Sequence, residues 1–365
     1  MRVLVLTAHY GSGHRMAAEG IVHALQHMGV ECSLSDINFS VMDIVESGGF
    51  TEKASSRAYE MLMKRGHALW KALYGARFLS ASPFRRLYRF QVRNFVRLVE
   101  EWSPDAVIST HFLTSLIGVM YGERTGKPSF TVITDFTVHP LWVWEGTTRY
   151  YVGMERTARE EVLLGKDVKV TGIPLRRGFW NPPTKREARE TLGYPMDRKV
   201  VLVSAGSYAS VKVEPMLLKL KEMGTFAVLL AGKGRDAYER FVSFYRERGI
   251  EGVVYPFIDF VPRVMAAADL FITKAGGVSV AEALAVGLPM LFVNNMPGQE
   301  QMNARIVEEE GAGIDAGTPE RAVELVDELL REPDRLAYMG DRARALGRPG
   351  AALEVVGDVL KSVSF

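Results

Sequence analysis

Residues 273–303 read TKAGGVSVAEALAVGLPMLFVNNMPGQEQMN, and this stretch decides the fold of the chain. An apolar run at residues 270–272 stops at the glycine pair 276–277. A helix-competent run, residues 278–285, follows, and a second apolar run occupies residues 290–293. A strand, a glycine turn, a helix and a second strand form one right-handed crossover unit of a parallel sheet. The stretch therefore predicts a doubly wound α/β domain.

The glycine pair also favours an anion at the start of the predicted helix. Gly276 and Gly277 allow backbone N–H groups to approach a ligand closely, and the positive end of the helix dipole points the same way. Glu282 and the polar turn at 297–300 supply acceptors for sugar hydroxyls. The pattern predicts a nucleotide-sugar site, and a tight turn without a ligand is the alternative for the glycines alone.

Bulk composition bounds the class of protein. A chain of 365 residues is expected to form two domains. A hydrophobic content of 47% and a charged content of 24% are typical of soluble globular proteins, and a net charge of +2 gives no overall signal for nucleic acid. Cys32 is the single cysteine, which excludes an intrachain disulfide and fits a reducing compartment. Since no run reaches the ~20 apolar residues of a membrane span, we expect a cytoplasmic protein, or one attached to the inner face of the cell membrane.

The N-terminus repeats the strand, glycine loop and helix pattern. Residues 3–7 are apolar, and Gly11-Ser12-Gly13-His14 follows them at the predicted start of a helix. The spacing is not G-x-G-x-x-G and no Walker lysine follows, which disfavours a dinucleotide or P-loop site. His14 is a candidate general base because imidazole takes up a proton near neutral pH. A histidine that only caps or packs against the loop is the alternative.

Further buried strands end in polar residues. Residues 105–110 lead to His111, and residues 128–134 lead to Asp135 and His139. The carboxyl ends of such strands are where α/β folds bind ligands, so these positions are candidates for an active site. For Asp135 alone, a turn cap is an equal alternative.

A basic and aromatic segment follows the first strands. Residues 61–99 contain nine Lys or Arg residues and no Asp or Glu. Trp70, Tyr74 and Phe78 recur every four residues and would share one helical face. Such a segment is typical of an interfacial anchor on anionic lipid, with ~1 kcal/mol for each cation near the surface. Nucleic-acid binding and a solvated pair of packing helices are the alternatives. The predicted membrane residues are Lys64, Arg65, Trp70, Lys71, Tyr74, Arg77, Phe78, Arg85, Arg86 and Arg89.

Together these motifs resemble the monogalactosyldiacylglycerol synthase and processive diacylglycerol glucosyltransferase group of GT-B glycosyltransferases. The resemblance spans nearly the whole chain and is carried by residues 273–303, by the G-S-G-H loop, by T-D-F-x-x-H-x-x-W at 134–142 and by G-I-P-L-R at 172–176. It implies two Rossmann-like, doubly wound domains that face a cleft, and a C-terminal helix that crosses back to the first domain. The implied parts are an acceptor and membrane-facing domain at 1–177, a donor domain at 178–345 and the C-terminal helix at 346–365.

The resemblance also implies roles for individual residues. The catalytic residues would be His14, His9, Asp135 and His139, and whether His9 or His14 takes the proton stays open. The acceptor loop would be Gly11, Ser12 and Gly13. The donor-binding residues would be Gly206, Ser207, Phe257, Lys274, Gly276, Gly277, Val278, Ser279, Glu282, Pro297, Gly298, Gln299, Glu300 and Asn303. One departure from the family pattern is Ala275, which replaces the proline usual after the lysine of T-K-x-G-G.

The implied activity is inverting transfer of a hexose from UDP-glucose or UDP-galactose to diacylglycerol, or to a glycolipid made from it. The backbone amides of Gly277, Val278 and Ser279 at the start of the predicted helix would stabilise the leaving diphosphate, so no cofactor and no essential metal is expected. One alternative is a UDP-GlcNAc-dependent transferase acting on a polyprenyl-linked cell-wall precursor, which Glu300 disfavours because a glutamine pair would be diagnostic. Another is a nucleotide-sugar sensor without catalysis. The sequence does not decide between glucose and galactose, or between one sugar and several.

Overall fold

The computed structural model describes residues 1–8, 12–37, 89–90, 92–206 and 213–363, with only the backbone described at Ser12, Asp36 and Ile37. The chain divides into two units. The first unit comprises Met1–Arg176 together with Gly350–Phe365, and the second comprises Arg177–Pro349. The sequence prediction placed the corresponding boundaries after residues 177 and 345.

The first unit is built on a parallel sheet in the order β2-β1-β3-β4-β5-β6. Its strands are β1 (Arg2–Ala8), β2 (Glu31–Ile37), β3 (Ala106–Ser109), β4 (Ser129–Val132), β5 (Arg149–Val152) and β6 (Val168–Val170). Its helices are α1 (Ser12–His27), α2 (Arg93–Trp102), α3 (Phe112–Thr125) and α4 (Glu155–Ala158). The chain leaves β1 toward β2 and returns to the other side of β1 with β3, so the topological switch point lies between β1 and β3.

The second unit has a parallel sheet in the order β12-β11-β10-β7-β8-β9. Its strands are β7 (Val200–Ser204), β8 (Phe226–Leu230), β9 (Gly252–Tyr255), β10 (Leu270–Thr273), β11 (Met290–Val293) and β12 (Gly313–Gly317). Its helices are α5 (Lys185–Leu192), α6 (Glu214–Glu222), α7 (Arg235–Arg248), α8 (Val261–Ala267), α9 (Gly277–Ala285), α10 (Gln299–Glu309), α11 (Pro319–Arg331) and α12 (Pro333–Leu346). The switch point here lies between β7 and β10.

The central strands are buried because their residues are apolar on both faces. Residues 200–203 and 270–272 are at most 1% exposed, as expected for strands that helices cover from both sides. The edge strands are different. β2 reads ECSLSDI, and β12 reads GIDAG and is only partly buried.

A last helix, α13 (Ala351–Val363), returns the chain to the first unit, where it packs against α1. Asp358 fastens it to the sheet. Its carboxylate accepts hydrogen bonds from Arg149 at 2.7 Å, from the Tyr151 hydroxyl at 2.8 Å and from Lys169 at 2.7 Å. Burial alone would raise the pKa of Asp358, but the bonds from Lys169, Arg149 and Tyr151 outweigh burial and lower this pKa.

The predicted doubly wound fold and the return of the C-terminal helix are confirmed. One local prediction is wrong: residues 297–300 are not all turn, because α10 begins at Gln299. Strands β2, β5 and β12 were not predicted. Among the described residues, no helix is long and apolar enough to cross a membrane.

We predict that Asp358→Ala lowers the free energy of unfolding by about 2 kcal/mol, because three donors lose a charged acceptor in a half-buried place. Urea denaturation measures this change. The control is Asp341→Ala, whose carboxylate pairs with Arg344 while 77% of its side chain is exposed. The control should stay within about 0.5 kcal/mol of the wild type. Equal stabilities for the two variants would contradict the anchoring role.

Candidate functional site

Each unit has a candidate site of its own at the switch point of its sheet. In the second unit the loops after β7 and β10 leave the two central strands in the same direction. Ligands of open α/β sheets bind at such a place. The loop after β10 contains the predicted glycine pair, and the loop after β7 contains Gly206, whose φ of +79° requires a residue without a side chain.

The start of α9 is open to an anion. Gly276 is its N-cap residue, with extended backbone, and no side chain caps the helix. A Cβ atom added to Gly276 would meet no atom within 4 Å among the described residues. The first N–H groups of a helix have no partner inside it, so those of Gly277, Val278 and Ser279 are not paired within α9. This geometry can bind phosphate oxygens.

Two predicted donor residues are buried beneath this helix start. Glu282 lies on the second turn of α9 and is 3% exposed. Asn303 of α10 is fully buried, and its Nδ2 donates to the carbonyl of Ala275 at 3.0 Å. Asn303 therefore stabilises the turn between β10 and α9. Glu282 places a carboxylate on α9, the helix whose first N–H groups have no partner within the helix.

Two of the predicted donor-binding residues form an ion pair. Lys274 Nζ lies 3.2 Å from Glu300 Oε1, and the other carboxylate oxygen of Glu300 accepts from the Met296 N–H at 2.6 Å. Gly298 has a φ of +99° and a ψ of −115°, a conformation for glycine, and lets the chain turn from Pro297 into α10. Gln299 and Glu300 are thus the first residues of a helix, both partly buried.

Phe257 lies beyond the end of β9, at the same edge of the sheet. Its ring is 48% exposed, and the Lys233 ammonium lies 5.1 Å from the ring centroid. The predicted role of its backbone toward a nucleotide base stays a prediction. Ser207 lies outside the described residues.

In the first unit, His14 lies at the switch point between β1 and β3. Its Nδ1 is 3.0 Å from the carbonyl oxygen of Thr110 and 2.7 Å from the hydroxyl of Thr134. In return, the Thr110 hydroxyl donates to the carbonyl of His14 at 3.0 Å. Because a carbonyl can only accept, Nδ1 carries the proton, and the lone pair of the neutral ring is on Nε2. The network fixes the tautomer that a general base needs.

The surroundings keep this ring neutral. Burial lowers the pKa of His14 from 6.5 to about 4, although the hydrogen bond to the Thr110 carbonyl acts in the opposite direction. At pH 7 the ring is therefore uncharged and able to accept a proton.

A second histidine, His111, packs edge-on against His14, with ring centroids 4.6 Å apart. It is 3% exposed, and its Nδ1 accepts from the Leu113 N–H at 3.2 Å as the N-cap of α3. Burial, followed by the charge of His14, lowers the pKa of His111 well below its usual value. Trp142 closes this cluster, 6.0 Å from His14 and 6.4 Å from His111 between ring centroids.

Asp135 and His139 lie in the segment between Thr134 and Trp142, both of which contact His14. Each of the two residues is 8% exposed. His139 Nδ1 accepts from the Leu141 N–H at 3.2 Å, which leaves the ring proton on Nε2.

Neighbouring residues fix the backbone of this segment. The Glu160 carboxylate accepts from the Val138 N–H at 3.0 Å, and the Thr157 hydroxyl donates to the Phe136 carbonyl at 2.8 Å. The segment is therefore held in place beside the His14 cluster.

The remaining predicted residues are mostly outside the described part of the chain. His9 and Gly11 lie there, and Ser12 and Gly13 are the first residues of α1. Of the predicted membrane residues only Arg89 is described, and it forms an ion pair with Glu123. The others outside the described residues are Lys64, Arg65, Trp70, Lys71, Tyr74, Arg77, Phe78, Arg85 and Arg86.

Sequence reasoning named His111 as a candidate position but missed that Thr110 and Thr134 bind His14, although both lie at the ends of apolar runs. It also missed Asn295, which contacts the Ala275 N–H. Asn294 and Asn295 follow an apolar strand, but that signal does not show that the contact joins two loops. Within the described ranges, no group of three or more His, Cys, Asp or Glu residues could hold a metal ion.

Comparisons with known families match the two units separately. Residues 14–175 match the sequence profile described as monogalactosyldiacylglycerol (MGDG) synthase. Residues 200–354 match the profile described as glycosyltransferase family 28 C-terminal domain.

Curated relatives extend over nearly the whole chain. A processive diacylglycerol beta-glucosyltransferase of Bacillus subtilis is 27% identical over 370 residues, which cover 99% of this chain and 95% of the relative. A protein of the same name from Staphylococcus aureus is 28% identical over 353 residues, covering 93% and 87% of the two chains.

Solved structures resemble the fold. MurG of Acinetobacter baumannii has a TM-score of 0.64 at 17% identity and covers 99% of both chains. CalG4, the calicheamicin glycosyltransferase, also has a TM-score of 0.64 at 17% identity, covering 100% of this chain and 99% of the other. The likeness confirms the predicted GT-B fold.

We predict that the ring of His14 titrates with a midpoint near pH 4, because burial disfavours its charged form. The measurement is an NMR titration of the histidine rings, with His14→Gln used to assign the His14 resonance. Between pH 6.5 and about 4 the unfolded chain binds a proton that folded His14 does not, so His14 makes stability fall as the pH drops through this window. His14→Gln should remove this part of the pH dependence. A midpoint at or above pH 6.5 would contradict the buried neutral ring.

Proposed function

We propose that this glycosyltransferase moves a hexose from a UDP-sugar to diacylglycerol or a diacylglycerol glycolipid, because residues 14–175 match the monogalactosyldiacylglycerol synthase profile and residues 200–354 match the glycosyltransferase family 28 C-terminal profile. The proposed binding of a UDP-sugar rests on one observation. The start of α9 is uncapped, lies at a switch point and has empty space above Gly276. Those features suit the diphosphate of a nucleotide-sugar.

The residues that bind the sugar donor lie on α9 and α10 and at Lys274. The amides of Gly277, Val278 and Ser279 take the diphosphate oxygens, on which negative charge grows as the sugar leaves. Glu282 accepts from the ribose hydroxyls. Gln299 and Glu300 accept from the hexose hydroxyls, and the pair with Lys274 holds the Glu300 carboxylate in one orientation.

The acceptor groups lie in the first unit. His14 Nε2 takes the proton of the acceptor hydroxyl, and the oxygen then forms a bond to the anomeric carbon. The bond from that carbon to the diphosphate breaks, and its electron pair leaves with the UDP, so the configuration at this carbon inverts. We assign the proton to His14 rather than to His9 because the Thr110 carbonyl fixes its tautomer. Asp135 and His139 orient the acceptor. No metal is needed, since the helix amides stabilise the leaving charge.

The donor sugar is proposed to be glucose. The two relatives are named glucosyltransferases, whereas the profile matched by the first unit is named for a galactolipid synthase. The relatives carry more weight because each match extends over both units, including the donor unit.

The protein is proposed to work as a peripheral protein on an anionic membrane surface, on the inner face of the cell membrane. Among the described residues, exposed side chains of α2 and of Phe90, which precedes it, support the proposed membrane attachment. Phe90 and Leu98 are 65% and 59% exposed, and Arg93 and Arg97 are exposed as well. Apolar and cationic side chains together suit an anionic lipid interface. Flotation with anionic and with neutral vesicles tests this, and equal binding to both would contradict it.

We predict that the protein transfers radiolabelled glucose from UDP-glucose to diacylglycerol in anionic vesicles, and that EDTA leaves the rate unchanged. UDP-galactose and UDP-N-acetylglucosamine are tested in parallel. His14→Gln should lower kcat by about 10²- to 10⁴-fold with little change in the donor KM, because the base acts only as the hydroxyl attacks. A lipid product from none of the three donors would contradict the proposed function. Activity only with N-acetylglucosamine and a polyprenyl-linked acceptor would favour the cell-wall alternative.

We also predict that Gly276→Ala folds normally but loses most UDP binding, because the new methyl group meets no protein atom and fills the space of the diphosphate. Isothermal titration calorimetry with UDP measures the loss, expected to be at least about tenfold. Gly357→Ala is the matched control, since its Cβ also meets nothing within 4 Å but lies on α13. Unchanged UDP affinity in Gly276→Ala would place the diphosphate elsewhere.

A further inference from the structure

Two asparagine side chains hold the turn between β10 and α9 from opposite sides. Asn295 Oδ1 accepts from the Ala275 N–H at 2.9 Å, and Asn303 Nδ2 donates to the Ala275 carbonyl at 3.0 Å. Both backbone polar groups of Ala275 are therefore paired with side chains. Asn295 follows β11 and Asn303 lies on α10, so the turn is tied to two other elements.

These bonds are needed because Ala275 is fully buried. Buried backbone N–H and C=O groups are unfavourable without a partner, and neither group of Ala275 is used by the ladder of β10 or by α9. Without Asn295 the N–H would have to turn toward another acceptor. Because Gly276 and Gly277 follow directly, such a rotation would move the first amides of α9.

A third residue fixes the orientation of Asn295. Its Nδ2 donates to Asp315 Oδ1 at 3.0 Å, and the same oxygen accepts from the Gly317 N–H at 3.0 Å. Since a carboxylate can only accept, it holds the NH₂ end of the amide toward β12. The oxygen end is then directed to Ala275. This chain of bonds runs from β12 through the loop after β11 to the turn after β10.

We propose that Asn295, oriented by Asp315, is a positioning residue for the amides that bind the donor diphosphate. It acts through Ala275 and touches no reacting atom itself. The inference rests on the proposed function, because it assigns a purpose to the same donor site. A role in the fold alone would lower stability without changing the donor affinity of the folded protein.

The first test is Asn295→Ala, with UDP as the probe in calorimetry on the full chain. We expect the Kd for UDP to rise about tenfold, as for the loss of one buried hydrogen bond, and the KM for UDP-sugar to rise while the KM for diacylglycerol is unchanged. Gln301→Ala is the control, because Gln301 is an exposed amide on the same helix as Asn303. It should bind UDP as the wild type does.

The second test exchanges the two side chains. Asn295→Asp sets a second carboxylate against Asp315 and should weaken UDP binding at least as much as Asn295→Ala. The double variant N295D/D315N places an amide at 315 that can donate to the new carboxylate but cannot at the same atom accept from the exposed Gly317 N–H, so binding should recover much of the loss caused by Asn295→Asp. Asp315→Asn alone should raise the Kd for UDP less than Asn295→Asp does, since its amide oxygen can still accept from Asn295 but no longer fixes which end of that amide faces Ala275. A general loss of packing would not be recovered by the exchange.

The outcomes separate the inference from the proposed function. If the wild type binds no UDP, the proposed donor site itself is wrong and the inference falls with it. If the wild type binds UDP and Asn295→Ala binds it equally well, only the positioning role is wrong. A double variant that binds no better than Asn295→Asp also overturns that role. The thermal unfolding midpoint of each variant shows whether that variant folds. If a single variant does not fold, UDP binding by N295D/D315N decides whether the positioning role is right.

Discussion

The uncapped start of the helix Gly277–Ala285 is the constraint on which the donor unit depends. A helix of this kind leaves its first N–H groups without partners inside the helix, and its N-cap residue, Gly276, has no side chain to accept from them. The position of those groups is set by β10, a fully buried central strand, and by the asparagine bonds to Ala275. The resemblance gives proline at position 275. Proline has no N–H, so alanine creates a buried donor, and Asn295 pairs it.

The first unit uses the same architecture for a different purpose. There the switch point holds a histidine, His14, on the first turn of α1. The Thr110 carbonyl fixes the proton on Nδ1 of His14, and burial keeps the ring neutral. In each unit, backbone groups from the ends of parallel strands lie at the switch point of that unit's own sheet. We propose that those of the second unit receive negative charge and that those of the first orient a base.

The central strands and the two glycine loops could be predicted because β-branched apolar runs and glycine pairs are local signals. Strands β2 and β12 could not, since ECSLSDI and GIDAG show no apolar run. β5, RYYV, was missed although Tyr and Val favour strands, because the run is only four residues long. Gln299 and Glu300 were assigned to a turn because Pro297-Gly298 precedes them, but Gly298 adopts a positive φ that ends the turn there. The contacts of Asn295 and of Thr134 join residues distant in sequence, and only the folded chain brings them together. The chemical roles predicted for the site residues stay predictions.

The central claim is that the diphosphate of the donor lies on the first amides of the helix Gly277–Ala285. Amide NMR of the ¹⁵N-labelled protein during titration with UDP tests it most directly, with uridine as the ligand that lacks phosphate. We predict large downfield shifts of the Gly277, Val278 and Ser279 amide protons with UDP and small shifts with uridine. Saturation with UDP that leaves these three resonances unmoved would contradict it.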